Sequence, residues 1–334
     1  MPFRELAGHG RLLELTAHAA ARGSLPPSLI FSGPDGVGKR RAAVALAQLF
    51  NCSSPVVGTD DLSPDSCGAC SACRRIARGV HADVMTIEPG ETGSIKVDQI
   101  RQAVERSAYR PFEGRRRLVI VDEADAMEAA AQNALLKTLE EPPAASSFVL
   151  VTPRPDVLLP TVQSRCQRLR FGRLGPSEVA AVLRRDHGFS EADAHTAAAL
   201  ADGSVGLALE ADTETYGDAR DAAVTMLSQA AGFADPRQRL AAAKALGADK
   251  LDREQLGRRL RLVSSMLRDL TVLISRGDES TLANGDLKGS LQRLTRSFDG
   301  ERAVRAFSAV DRALVALDRN ASPKIVGDWL AFQI

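Results

Sequence analysis

The sequence predicts an α/β unit built on a parallel sheet, followed by all-α structure towards the C-terminus. Three observations predict it. Residues 1–172 alternate short apolar or β-branched runs with helical patterns, as strands covered by helices on both faces require. After Gly172 the strand signals stop and apolar residues recur at spacings of three and four. Aromatic residues make up only 4% of the chain, which favours helix over sheet in an Ala- and Leu-rich second half.

Five strands are expected, in the runs Leu29–Phe31, Asp83–Ile87, Arg117–Val121, Ser147–Val151 and Gln167–Phe171. A small three-helix domain is expected at 173–210, opened by Pro176-Ser177-Glu178 with Ser177 as cap and interrupted at Gly188 and Gly203. A helical domain should fill 211–334. In it, Leu256, Leu260, Val263, Leu267, Leu270 and Ile274 lie along one helix face. The same helix carries Arg258, Arg259, Arg261 and Arg268; a solvated face is the favoured reading and DNA contact the alternative. A chain of 334 residues exceeds what one core supports, which agrees with several domains.

Composition excludes some functions. A hydrophobic share of 44% and a charged share of 25% are globular, and a formal charge of +1 gives no global attraction to nucleic acid or to an anionic membrane. The first residues lack a cationic segment leading into an apolar one, and no run of 18 apolar residues occurs. A cytoplasmic protein without a membrane partner is the expectation.

Gly33-Pro34-Asp35-Gly36-Val37-Gly38-Lys39 lies between the first strand and an Ala-rich helix, the setting of a phosphate-binding loop. Gly33, Gly36 and Gly38 let backbone N–H groups turn towards phosphate oxygens, and Lys39 would reach the terminal phosphates. The next position should carry a Ser or Thr hydroxyl for Mg²⁺, but it is Arg40. A guanidinium about 4 Å from a divalent ion meets repulsion of several kcal/mol at an effective dielectric near 20. Both changes oppose binding of ATP with Mg²⁺, leaving a vestigial loop and residual nucleotide binding as the two readings. Asp122 and Glu123 end an apolar strand, where an ATPase would use the first to organise metal-bound water and the second to polarise the attacking water. With Arg40 in place both are candidate relics.

Cys67, Cys70 and Cys73 are spaced two residues apart, and Cys52 follows the helix after the phosphate loop. Four thiolates close a tetrahedral Zn²⁺ site with no position left for water, so a structural metal centre over 52–73 is expected. Cys52 is the favoured fourth ligand and His81 the competitor. Cys166 stands apart as a packing residue.

These features together resemble the bacterial clamp-loader family within the AAA+ ATPases. Ile95–Arg101 is similar to that family's helix before the acidic strand, and Asn133–Pro143 to its characteristic helix and turn. Asn320-Ala321-Ser322-Pro323-Lys324 resembles a motif of its C-terminal collar domain. The resemblance implies an AAA+ domain at 1–172, a lid at 173–210 and an oligomerising collar at 211–334. It also implies that Thr152 falls at a phosphate-sensing position and that Arg165, in Ser164-Arg165-Cys166, is an arginine finger for a neighbour's nucleotide. Motor subunits carry an Arg two residues after the Gly-Ser pair of the lid, where this chain has Gly206 after Gly203-Ser204.

Arg40 and Gly206 weaken the chain's own site while Arg165 stays available to a neighbour, which makes the stator-like, delta-prime type the nearest match. The implied setting is a hetero-pentamer with gamma/tau-type and delta-type subunits, acting on the sliding clamp and primer–template DNA for a DNA-directed DNA polymerase. An ATP-hydrolysing motor subunit and a self-assembling AAA+ DNA remodeller are the alternatives.

Overall fold

In the computed structural model, which describes residues 2–56, 64–210, 213–232, 244, 246–248, 252–278 and 282–334, five parallel strands form one sheet. They are β1 (Ser28–Ser32), β2 (Val84–Ile87), β3 (Arg117–Val121), β4 (Ser146–Thr152) and β5 (Gln167–Arg170), in the order β2-β3-β4-β1-β5. All five expected strands form, and their pairings are all parallel. Residues 57–63 of the expected cysteine module and residue 211, where the expected collar begins, lie outside the described residues.

The strand sequences explain the layering. Leu29, Phe31, Leu118, Ile120, Val149 and Val151 point to one face and pack with α1 (Gly10–Ala21) and α2 (Lys39–Asn51). Ile30, Val119, Val121, Phe148 and Leu150 point to the other, against α4 (Val97–Ser107) and α5 (Ala129–Glu140). Covered on both sides, β1, β3 and β4 read as unbroken apolar runs without polar alternation. Short α3 (Ser71–Ala77) follows the cysteine loop, and α6 (Pro160–Gln163) leads into β5.

The start of β3 is fixed by a buried ion pair. Asp83, fully buried, meets the Arg117 guanidinium at 2.9 Å and accepts the amides of Phe112, Glu113 and Gly114. Burial raises the Asp83 carboxyl, but these amides and Arg117 outweigh it and bring it down to about 2. Because the folded value is depressed, its stabilisation is present above the ordinary carboxylate range and is lost as the pH falls through about 2. Asp83→Ala leaves a buried, unpaired guanidinium and is expected to cost about 3–5 kcal/mol. Urea unfolding of the two proteins checks this; a difference under about 1 kcal/mol would contradict it.

The described chain divides into two compact units, Met1–Glu178 with Ser204–Gly206, and Val179–Gly203 with Leu207–Ile334. Helix α7 (Pro176–His187) starts with the Glu178 carboxylate accepting the Gly175 amide at 2.7 Å, so Glu178 and not Ser177 serves this end. Next come α8 (Glu191–Leu200), α9 (Val205–Glu210) and α10 (Thr213–Gly232). Helix α11 (Arg253–Ile274) buries Leu256, Leu260, Val263, Leu267 and Leu270 on the face expected from their spacing. It packs against α13 (Gly300–Asp318), with α12 (Lys288–Leu294) and α14 (Pro323–Gln333) completing that core. Arg268 pairs with Asp202 at 2.9 Å and Arg259 donates to the Leu246 carbonyl, so two of the four helix arginines have partners within their own unit. No helix among the described residues is long and apolar enough to cross a membrane.

Candidate functional site: a closed phosphate loop, a half-buried arginine and a cysteine cluster

The loop between β1 and α2 lies at the carboxyl end of the sheet, where open α/β folds place their ligands. Gly33, Gly36 and Gly38 all have positive φ, the conformation that turns amides inward. Lys39, however, is directed at the loop itself: its ammonium donates to the carbonyls of Gly33 at 2.7 Å and Pro34 at 2.6 Å. It also lies 3.6 Å from Asp35. Burial lowers the Lys39 ammonium from its ordinary range, with Asp35 opposing the shift.

Strand β4 separates β3 from β1, yet Asp122 at the end of β3 still reaches the loop. It does so through Arg40, whose guanidinium sits 3.2 Å from Asp122 and also pairs with Glu88 at the end of β2. Arg40 is about half exposed, so these pairs stabilise the fold by at most about 1 kcal/mol. Their importance is positional. A fixed cation already occupies the carboxylate that would organise metal-bound water.

Burial raises Asp122 against the pull of Arg40, and burial followed by repulsion from Asp122 raises Glu123. Glu123 is exposed and adopts left-handed backbone angles. Thr152 is buried, and its hydroxyl donates to Asp125 at 2.8 Å while Arg154 holds the other oxygen of that carboxylate at 2.8 Å. Lys39, Asp122 and Thr152, expected to meet ATP and Mg²⁺, are thus each bonded to other groups of the protein. The hydroxyl ligand is missing, Asp122 is paired and Lys39 is bound to carbonyls, so this donor set does not fit Mg²⁺ with ATP.

The tip of the loop is also covered. The Gly206 amide donates to the Gly36 carbonyl at 3.3 Å. A Cβ placed on Gly206 would stand 3.0 Å from the Gly36 α-carbon, so a side chain at 206 would press on the loop backbone. A side chain at this position would require the loop backbone to shift by a few tenths of an ångström, a constraint the sequence did not reveal.

Arg165 lies elsewhere on the same unit, between α6 and β5. Its guanidinium donates to the Thr161 carbonyl at 2.8 Å and the Ser164 hydroxyl at 3.4 Å, and pairs with Glu140 at the last turn of α5. Cys166 is half-buried beside the second core, and burial pushes its thiol up to about 12, as an unreactive packing residue should behave.

The sulfurs of Cys52, Cys67, Cys70 and Cys73 lie within 4.8 Å of one another, compatible with four ligands about 2.3 Å from one metal ion. The amides of Cys67, Cys70 and Cys73 donate to the sulfurs of Cys52, Cys67 and Cys70 at 3.2–3.4 Å, orienting them as a metal's outer shell does. The competitor His81 is engaged elsewhere: its Nδ1 accepts the Asp83 amide at 3.2 Å and its Nε2 faces Glu113 at 3.8 Å. Burial raises Cys70, but hydrogen bonds from Ser53 and the Cys73 amide bring it down to about 5. Burial and its cysteine neighbours push Cys73 up. Asp65, within the module, accepts the amides of Phe3 and Arg4 at 3.1 Å, while Arg4 donates to the carbonyls of Ser66 and Cys67. The cysteine loop and the N-terminal segment therefore hold each other.

The structure brings the phosphate-loop residues, Arg40, Asp122 and Thr152 into one cluster and the four cysteines into another. Four important partners went unrecognised in the sequence. Glu88, Asp65 and Asp125 were not singled out, whereas Glu140 stood inside the Asn133–Pro143 segment already noted.

A parallel-sheet protein with a closed phosphate loop, a half-buried Ser-Arg-Cys arginine and a cysteine cluster is the class these features define. Residues 8–175 match the family described as "DNA polymerase III, delta subunit", and the chain belongs to that family. It is a clamp-loader AAA+ protein, like delta-prime. The delta' subunit of Pseudomonas aeruginosa is 39% identical over 135 residues, which cover 40% of this chain and 39% of that protein. The delta' subunit of Bacillus subtilis is 36% identical over 169 residues, 51% of this chain and 49% of that one. The gamma/tau subunit of Mycobacterium tuberculosis H37Rv is 33% identical over 183 residues, 55% of this chain and 31% of that one. The matches thus span between about a third and a half of these relatives, and both subunit names occur among them.

Proposed function

We propose that the chain is a clamp-loader subunit of the delta-prime type in a DNA polymerase III holoenzyme. On this reading it does not hydrolyse ATP itself but gives Arg165 to a neighbouring ATPase subunit during loading of the sliding clamp onto primed DNA. Its partners are gamma/tau-type and delta-type subunits in a hetero-pentamer joined through residues 211–334, with 173–210 as a lid and 1–172 as the AAA+ domain. The four cysteines hold a structural Zn²⁺ that takes no part in the chemistry. The observation that carries this reading is Arg40 seated between Asp122 and Glu88, where an active ATPase needs a metal.

Calorimetry of the purified chain with ATP and Mg²⁺ tests it, with Arg40→Thr run in parallel. No binding by the unmodified chain, and weak Mg²⁺-dependent binding by the variant, is expected. Tight binding by the unmodified chain, with hydrolysis once loader partners are added, would make it a gamma/tau-type motor instead.

A further inference from the structure

We propose that Glu140 is the positioning residue that presets the orientation of Arg165; this rests on the reading of Arg165 as a finger. The segment carrying Arg165 is attached to α5 at two places. Near the start of α5, the buried Gln132 accepts the Leu159 amide at 2.7 Å, fixing the entry to α6, and Gln163 ties back to the Leu158 carbonyl at 2.8 Å. At the far end of α5, Glu140 pairs with the Arg165 guanidinium. A rigid helix thus holds both the backbone and the charged end of this segment.

The number of hydrogen bonds fits a held side chain that can still act. A guanidinium has five N–H donors. Three are used here, by the Thr161 carbonyl, the Ser164 hydroxyl and Glu140, leaving two. Two are what a bidentate grip on phosphate oxygens requires. A long, flexible side chain that must meet charge developing on a partner's nucleotide gains most from being held in advance, since misplacement by about 1 Å costs up to about 100-fold in rate. Glu140 supplies that hold from its own chain, at the helix end of the Leu139-Glu140-Glu141-Pro142-Pro143 turn. The role also gives a reason for an acid at that place in the turn.

Steady-state ATPase of the gamma/tau-type partner, assembled with the full chain, tests the proposal. Glu140→Ala should lower the partner's kcat about tenfold with KM for ATP unchanged, because the affected contact forms in the transition state. Glu140→Gln keeps a neutral acceptor and should recover most of the rate. An unchanged or raised kcat in Glu140→Ala overturns the positioning role, the raised rate identifying Glu140 as a competitor for the finger. Arg165→Ala is measured beside them. If it leaves the partner's rate untouched, the finger reading itself has failed, an outcome separable from failure of Glu140 alone.

Discussion

Arg165→Ala is expected to lower the ATPase rate of the neighbouring subunit by about 1,000-fold, the lower end of what an arginine finger contributes. That corresponds to about 4 kcal/mol of lost transition-state stabilisation. The loss should fall on kcat, because charge on the transferred phosphoryl oxygens develops only as the bond breaks. Arg165→Lys should recover little, since an ammonium lacks the planar pair of donors. The side chain is one-third exposed and bonds mainly at the surface, so the variant's thermal midpoint should stay within a few degrees of the parent. Single-turnover hydrolysis by the assembled subunits, with each variant in place of this chain, gives the answer. Undiminished turnover with Ala would remove the finger from the proposed function.

The second large effect concerns the cysteine cluster. One Zn²⁺ per chain is expected, and its removal should disorder the module and release the N-terminal residues that Asp65 and Arg4 bind to it. Little apolar burial competes with the metal there; among the described residues of the module, only Cys52 and Cys73 belong to the buried apolar set. Metal binding in comparable small modules contributes about 10 kcal/mol or more to order at pH 7. The sheet has cores of its own on both faces and should persist. Hydrogen exchange before and after chelation should therefore show protection lost at Phe3, Arg4 and around the cysteines, with β1, β3 and β4 unchanged. Affinity should weaken as the pH is lowered, because each sulfur must give up its proton to bind. A chain purified without metal, or a Cys73→Ser variant with unaltered exchange, would refute the assignment.

Much of this was readable in sequence, for physical reasons that differ from one element to the next. Strands β1, β3 and β4 have apolar centres because both faces are covered, so runs of three or four apolar residues without polar alternation stand out. The Cys67-Cys70-Cys73 spacing announced a sulfur cluster because two-residue gaps bring sulfurs together in a local turn. Strand order was not legible: inserting β4 between β3 and β1 depends on pairing between residues far apart in sequence. For the same reason Arg40 could be recognised as a wrong residue for Mg²⁺, but not as one that pairs with Glu88 and Asp122. The choice between Cys52 and His81 required the structure, which turns the imidazole towards Asp83 and Glu113.

The close approach of Gly206 to Gly36 bears on how such a chain can change over evolutionary time. An Arg at 206 would bring its Cβ to 3.0 Å from the Gly36 α-carbon, so that step would require the loop backbone to give by a few tenths of an ångström. Regaining Ser or Thr at position 40 alone would leave the loop tip covered and Lys39 bound to its own carbonyls. Hydrolysis would therefore need more than the Thr at position 40 that gives weak binding: the loop contacts of Lys39 and Gly206 would have to move as well. Under the proposed function, this contact makes a gain of hydrolysis a change of more than one residue, a barrier set by the path and not by selection against the activity itself.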